Sequence, residues 1–189
     1  MTGDDRPAEG DDEADGQDTL LDTVAQVRTW REGDEYRRER VQSLDAEAFV
    51  QARDRIDGEG GLEWGVGALV EHDGRVLLVR EDGLWALPGG EVEAGERHDE
   101  ALVRELREET GLDVTPGARL AVVRNVLRHG DEERSFRFAI HRGTAETTTL
   151  ADDPGLADED IEAVRWAARL PEDTLDRDLL TELLGDDWD

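Results

Sequence analysis

Three glutamates stand at helical spacing near the middle of the chain. Glu105, Glu108 and Glu109 occupy positions i, i+3 and i+4 of a segment, Arg97 to Thr110, that contains no Gly or Pro. A helix places such residues on one face, so three carboxylates converge on one patch. Because like charges packed together repel one another, the patch requires a cation to neutralise it. Mg²⁺ prefers carboxylate oxygens and waters as ligands, so the spacing predicts a Mg²⁺ site, with Mn²⁺ as the alternative ion.

These glutamates belong to a longer pattern with fixed glycine positions. The segment from Gly90 to Leu112 reads G-x5-E-x7-R-E-U-x-E-E-x-G-U, where U is a bulky aliphatic residue. Even in a chain this rich in Glu, Gly and Arg, chance gives such a match in about one chain in 10⁵ to 10⁶. The sequence therefore resembles the Nudix hydrolases, whose signature is this box. The resemblance implies a Mg²⁺-dependent enzyme that cuts the diphosphate linkage of a nucleoside diphosphate joined to another group.

The resemblance also implies a role for each charged residue of the box. Glu108 and Glu109 would be metal ligands, and Glu105 would be a further ligand or the base that deprotonates the attacking water. Arg104 would be the ion-pair partner that orients a glutamate. Glu96 would be an additional, more distant acidic contact to the metal.

Residues before the box are predicted to contact the substrate. Gly89 and Gly90 form the loop that enters the box. Arg80 ends a strand where several family members carry a phosphate-contacting basic residue, although an Arg at a strand end is solvated at least as often. Trp85 could stack on a base, as could Phe136 and Phe138, although aromatic residues in strands more often belong to the core.

Further features leave three questions open, which concern an additional acid, the substrate and the function. In the family an additional acid often reaches the metals from a late loop, and Glu159, Asp160 and Glu162 are the candidates here. The resemblance implies a small nucleotide as substrate: a nucleoside triphosphate, a nucleotide sugar or an ADP-ribose-like compound. The alternative function is a non-catalytic nucleotide-sensing module with a helical partner-binding arm. Non-catalytic members usually lose box glutamates, and because this chain keeps them, the sequence favours the enzyme.

Composition indicates where the protein works. The chain has 50 acidic residues against 22 basic ones, a net charge of -28, and every basic residue is Arg. This charge opposes binding to polymeric nucleic acid and destabilises a compact state unless salt screens it. We therefore expect a cytoplasmic protein from a halophile. No apolar run is long enough to span a membrane, no signal peptide is evident, and the lack of Cys excludes disulfides and a thiolate zinc site.

Composition also divides the chain. Residues 1–18 are predicted to be a disordered acidic tail, 19–57 a helical extension, 58–61 a linker, 62–184 the Nudix domain and 185–189 a second acidic tail. In the extension, Leu20, Val24, Val27 and Trp30 would form one apolar stripe on a helix. Because such a stripe must be buried, we expect a homodimer.

Within the domain, alternating and continuous apolar runs predict strands. Hairpins are expected around His72 to Gly74 and around Gly130 and Asp131, a strand over 161–167, and a closing helix over 171–184. The fold class implied by the resemblance is α/β, a Nudix-type α/β/α sandwich with a mixed β-sheet.

Overall fold

The computed structural model describes residues 24–58, 60–151, 161–185 and 188. Its strands are β1 (Val24–Glu32), β2 (Glu35–Ser43), β3 (Trp64–His72), β4 (Arg75–Glu81), β5 (Leu84–Ala86), β6 (Gly89–Glu91), β7 (Val114–His129), β8 (Glu132–Ala145) and β9 (Ala163–Ala167). Its helices are α1 (Ala46–Asp57), α2 (His98–Thr110) and α3 (Arg177–Leu184). Among these helices, none is long and apolar enough to cross a membrane.

The strands form a mixed sheet, which confirms the predicted fold class. Their order is β1-β2-β7-β8-β3-β4-β5, with β6 paired to β3 and β9 paired to β4. The β2–β7 and β3–β8 pairs are parallel, and the other pairs are antiparallel. Both predicted hairpins are present, one joining β3 to β4 and one joining β7 to β8.

Strand β3 explains why the sheet lies between two helical layers. Its residues from Gly65 to Val70 are all buried, which fits a strand covered on both faces. On one face, Val66, Ala68 and Val70 pack with Leu102 and Leu106 of α2. On the other, Leu69 belongs to a second cluster of buried residues that includes Leu179 and Leu180 of α3. The box helix and the closing helix therefore cover opposite faces of the sheet.

Local sequence defines the ends of α2. The Glu100 carboxylate accepts a hydrogen bond from the Arg97 backbone N–H at 3.1 Å, which satisfies one of the amides at the N-terminus. At the other end Gly111 adopts the left-handed conformation, with φ of 74°, and closes the helix. These ends fix which residues of the box face the core and which face solvent.

The helical prediction for residues 19–57 is wrong over Val24 to Ser43, which form the β1–β2 hairpin. The turn lies at Gly33 and Asp34, and β2 pairs in parallel with β7 from Tyr36 to Ser43. The apolar residues fit helical spacing, but pairing with β7 outweighs this local preference. The helix over Ala46–Asp57 is confirmed: Asp45 caps it by accepting a hydrogen bond from the Ala48 N–H at 2.8 Å.

The predicted apolar stripe is also wrong in geometry. In a strand, successive side chains point to opposite faces, so Val27 and Trp30 lie on different sides of β1. Both are exposed. Leu20 and the predicted tail of residues 1–18 lie outside the described residues.

The C-terminal elements are shorter than predicted. The strand begins at Ala163 rather than residue 161, and α3 begins at Arg177 rather than Pro171. Residues before α3 form turns that end at Asp176, which has a φ of 53°. These turns place Asp173 and Asp176 where they bind arginines of β4 and β2.

Candidate active site

Two carboxylates of the box are nearly buried. Glu105 is 7% exposed and Glu109 is 5% exposed, whereas Glu100 on the same helix is exposed. Burial of a charged carboxylate is unfavourable unless it is paired and hydrogen-bonded. The surroundings of these two residues therefore decide what the site can do.

Two glycines of β6 allow this approach. The Gly89 backbone N–H donates a hydrogen bond to Glu109 Oε2 at 2.7 Å. Gly89 has a φ of 146°, and a Cβ there would lie 2.0 Å from the Val66 carbonyl oxygen, so only glycine fits. A Cβ on Gly90 would lie 2.5 Å from the Glu105 carboxyl carbon. The box glycine is thus in direct contact with the proposed catalytic carboxylate.

Arg104 connects the remaining acids of the box. Its Nη1 donates to Glu105 Oε1 at 2.9 Å and to Glu108 Oε2 at 3.2 Å. Its Nε and Nη2 donate to the two oxygens of Glu96 at 3.0 and 2.9 Å, and Nη2 also donates to the Glu91 carbonyl. Arg104 therefore stands where an ion-pair partner that orients glutamates must stand.

The electrostatics agree with this network. Hydrogen bonding to Glu96 is the largest influence that raises the pKa of Arg104 above its ordinary value. Hydrogen bonding from Arg104 in turn lowers the pKa of Glu96, against the opposing effect of burial. In this arrangement Glu96 is an ion-pair partner of Arg104.

The donor set fits a hard divalent cation. Glu105, Glu108 and Glu109 offer only carboxylate oxygens, and the chain has no Cys. Within the described residues, however, no three His, Asp or Glu side chains are arranged to hold a metal ion as they stand. Glu105 and Glu108 accept hydrogen bonds from Arg104, and Glu109 accepts one from the Gly89 backbone N–H. Binding a cation therefore requires side-chain rotation within the cluster, with the backbone already in place.

A cleft of about 720 Å³ opens beside these glutamates. Its floor runs across the sheet through residues of neighbouring strands, and its far side is formed by the segment before and within α3. The residues that line it include Arg40, Gln42, Asn125, Phe136, Phe138, Gly89, Gly90, Glu105, Glu109 and Asp176. Glu108 and Arg104 instead border a shallower depression on the outer side of α2.

Arg80 and Trp85, predicted to contact substrate, do not line this cleft in the described part of the chain. Arg80 binds Glu162 at 3.1 Å and Asp173 at 3.0 Å. Trp85 is 7% exposed and lies under the Arg165 guanidinium, 3.9 Å from the ring centroid. Both therefore stabilise the β4–β5 and β4–β9 region. A phosphate contact by Arg80 would require it to release two carboxylates.

Of the three candidates for a further acid, the structure describes only Glu162. Glu162 accepts hydrogen bonds from Arg80 and from the Gly83 N–H, so its carboxylate binds the end of β4 and the turn between β4 and β5. Glu159 and Asp160 lie outside the described residues.

Sequence reasoning missed the polar residues at the other end of the cleft. Arg40 and Gln42 come from β2, which was predicted to be helical, and Asn125 comes from the middle of β7. One signal was available: Asn125 is the only Asn in the chain and interrupts the apolar run of β7. A lone amide on a buried strand needs partners, and here Arg40 supplies two donors to its carbonyl oxygen.

Comparison with known proteins decides the family. The model of the NUDIX domain matches residues 61–177. The chain belongs to this family. The match begins after α1, so β1, β2 and α1 lie outside it.

Curated relatives match stretches of 52 to 85 residues of the chain and carry different names. The chain is 45% identical over 62 residues to the CTP pyrophosphohydrolase of Escherichia coli, covering 30% of this chain and 46% of that protein. It is 48% identical over 52 residues to the ADP-ribose pyrophosphatase of Methanocaldococcus jannaschii, covering 25% and 31%. It is 45% identical over 85 residues to the RNA pyrophosphohydrolase of Halorhodospira halophila, covering 43% and 46%. The chain thus spans about a third to a half of these relatives.

The chain is also similar to solved structures. The crystal structure of a UDP-X diphosphatase is 23% identical with a TM-score of 0.47, covering 76% of this chain and 70% of that one. The MutT NUDIX hydrolase from Burkholderia pseudomallei is 28% identical with a TM-score of 0.47, covering 65% and 95%.

Proposed function

We propose that this protein is a metal-dependent hydrolase that cleaves the diphosphate linkage of a nucleoside diphosphate derivative. The observation that carries the proposal is the position of Glu105 and Glu109, nearly buried at one end of a large cleft and held there by Arg104 and Gly89. Buried carboxylates tend to lower the stability of a fold. A complete box of acids beside a cleft is therefore better explained by a function than by a structural role. Names of the relatives that contain pyrophosphohydrolase or pyrophosphatase support the same reaction class.

Glu105, Glu108 and Glu109 would hold Mg²⁺ or Mn²⁺, and Glu96 would act through Arg104 rather than at the ion. When bound, such an ion neutralises the charge of phosphate oxygens and makes a bound water a stronger acid. Glu105 is the proposed base that takes a proton from the attacking water. Its contact with Arg104 fixes the orientation of its carboxylate, and its contact with Gly90 fixes its depth beside the cleft. No covalent intermediate with the protein is needed.

The substrate class is a small nucleotide in which a diphosphate joins a nucleoside to phosphate, a sugar or another group. A screen of nucleoside triphosphates, nucleotide sugars and ADP-ribose tests this proposal, with Mg²⁺ or Mn²⁺ present in molar KCl. We expect phosphate, pyrophosphate or a nucleoside monophosphate among the products of at least one compound, and no product in excess chelator. Full turnover in chelator, or no turnover of any compound with either ion, contradicts the proposal.

The homodimer stays a prediction, but its basis has changed. Among the described strands, β1 lies at one edge of the sheet, and it carries the exposed side chains of Val27 and Trp30. Edge strands have backbone groups that can pair with another chain. Light scattering at micromolar concentration in molar KCl tests the prediction, and a monomeric mass contradicts it.

A further inference from the structure

The end of the cleft away from the glutamates has its own polar group. Arg40 of β2 is paired in register with Asn125 of β7, and Asn125 is paired with Phe136 of β8. All three line the cleft, so they form one row across its floor. The Arg40 guanidinium donates to Asn125 Oδ1 from Nε at 3.0 Å and from Nη2 at 2.6 Å.

The distance of this row from the glutamates suits a nucleotide. Three strand spacings separate β7 from β6, which is about 14 Å along the sheet at about 4.8 Å per strand. Between them the Phe138 ring lies over Gly65 and Gly67, where a Cβ would come within 2.7 Å of the ring. A diphosphate beside Glu105 and Glu109 therefore leaves its nucleoside above Phe138 and Phe136, whose rings are partly exposed and can stack on a base.

The hydrogen-bonding pattern of the row is dominated by donors. A guanidinium has only donors, and the Asn125 carbonyl oxygen accepts from Arg40. Asn125 is 2% exposed, so a base that enters the row would meet its amide nitrogen as the second donor only on close contact with the floor of the cleft. Two adjacent donors match two adjacent acceptors on a base edge. Guanine presents N7 and O6 side by side, whereas adenine and cytosine present an amino donor at the corresponding position.

We propose that this row is the nucleobase subsite of the proposed reaction, and that Arg40 and Asn125 select guanine nucleotides. The inference rests on the proposed function, because it takes the position of the diphosphate from the box glutamates. It adds a specificity determinant from β2, which lies outside the family-model match at residues 61–177.

The hairpin is attached firmly enough to serve this purpose. Arg38, also on β2 and 3% exposed, donates to Asp176 Oδ1 at 2.9 Å and to Asp178 Oδ1 at 2.8 Å. Arg40 Nη1 lies 3.6 Å from the same Asp176 carboxylate. Strand β2 is therefore joined to β7 by the backbone and to the start of α3 by side chains, which keeps Arg40 in a defined position.

The test is direct binding of GMP, AMP, CMP and UMP by calorimetry, in chelator and molar KCl. The wild type should bind GMP more tightly than the other three by about tenfold to a hundredfold, the discrimination of a two-donor base contact. Arg40→Lys, which keeps the charge but loses the planar fork, should remove most of that preference. Arg37→Gln is the matched control, because Arg37 points to the opposite face of β2 and pairs with Glu32.

A second variant makes the outcome specific. Asn125→Asp keeps the shape and still accepts from Arg40, but it replaces the amide donor by an acceptor, so relative affinity should move from GMP towards AMP. Thermal melts of each variant show whether it is folded. Equal affinities of the wild type for all four nucleotides, or an unchanged ratio in folded Asn125→Asp, would overturn the inference. These results differ from failure of the proposed function, which is loss of metal-dependent hydrolysis in the substrate screen.

Discussion

At the scale of single residues, the site is an arrangement of carboxylates around one guanidinium. Arg104 contacts Glu96, Glu105 and Glu108, and its backbone contact with Glu91 ties the cluster to β6. Because one cation is shared by three acids, the cluster keeps excess negative charge. A divalent cation would remove that excess, which is the physical reason to expect metal dependence.

The first prediction concerns the proposed metal ligands. Glu108→Gln or Glu109→Gln removes a charge while nearly keeping shape, so turnover should fall by about 10² to 10⁴, the range for loss of a metal-activating group. The measurement is kcat in Mg²⁺ at high salt. Asp99→Asn is the control, because Asp99 lies on the same helix at a position that the box pattern leaves unspecified, and it pairs with Arg97 at the surface. Wild-type turnover in Glu109→Gln would contradict the metal assignment.

The second prediction uses two adjacent glycines. Gly90→Ala places a methyl group against the end of the flexible Glu105 side chain, so the carboxylate should shift with little loss of stability. A misplacement of this size in a reacting group costs about 10²-fold in rate. Gly89→Ala instead meets the Val66 carbonyl at a φ of 146°, so it should destabilise the fold by more than about 2 kcal/mol. Denaturant melts and kcat separate the two effects, and equal stability losses would contradict this reading.

At the scale of elements, the box helix and the sheet were predictable, whereas the N-terminal hairpin was not. Helix α2 carries its own signals: periodic Leu102 and Leu106 and a left-handed Gly111 at its end. The hairpins at Gly74 and Gly130 follow from local turn residues. In contrast, β2 is a strand because it pairs with β7, more than 80 residues later, and local spacing carries no information about that partner.

The candidate site divides in the same way. The box residues come from one continuous segment, so their spacing was enough to place them together. Arg80 and Trp85 lie away from the cleft, because the acids and the arginine that bind them come from distant elements. Their contact with substrate stays a prediction. Arg40 and Asn125 meet only through the parallel β2–β7 pair, so their contact needed the topology.

The third prediction concerns the attachment of the hairpin to α3. Hydrogen bonding from Arg38 lowers the pKa of Asp178, against burial, so the pair stabilises the fold above the unfolded-state pKa of about 3.9 and is lost as pH falls through the lower folded-state pKa. Asp178→Asn should cost about 1 kcal/mol at pH 7, since the Asp178 side chain is 76% exposed and screened.

Urea melts at constant high salt measure this difference. The gap between Asp178→Asn and the wild type should narrow as the pH falls below the unfolded-state pKa of about 3.9 and through the lower folded-state pKa of Asp178. Asp99→Asn provides the comparison for an exposed pair on another element. A gap that stays constant or widens in acid would show that the pair does not link the hairpin to α3 in this way.

At the scale of the whole molecule, the repulsion that comes from the net charge of -28 exceeds the contribution of any single ion pair to the free energy of folding. Each of the 22 arginines can neutralise one acid, which leaves 28 acidic charges uncompensated. The structure uses its arginines in many short contacts, for example Arg119 with Glu35 at 3.0 Å and Arg142 with Glu71 at 2.9 Å. Exposed pairs of this kind each contribute only about 0 to 1 kcal/mol. Repulsion among the remaining acids should therefore dominate the electrostatic free energy of folding.

The last prediction follows from the different ranges of these two effects. The Debye length falls from about 10 Å at 0.1 M salt to about 3 Å at 1 M, so repulsion between separated acids is screened while ion pairs at contact distance largely persist. We expect the Tm to rise with KCl from dilute buffer to above about 1 M. The measurement is a thermal melt across that range, with sucrose at matched osmolality as a control that changes solvation without screening charge. A Tm that is flat or falls in KCl, or that rises equally in sucrose, would remove the argument for a protein adapted to high salt.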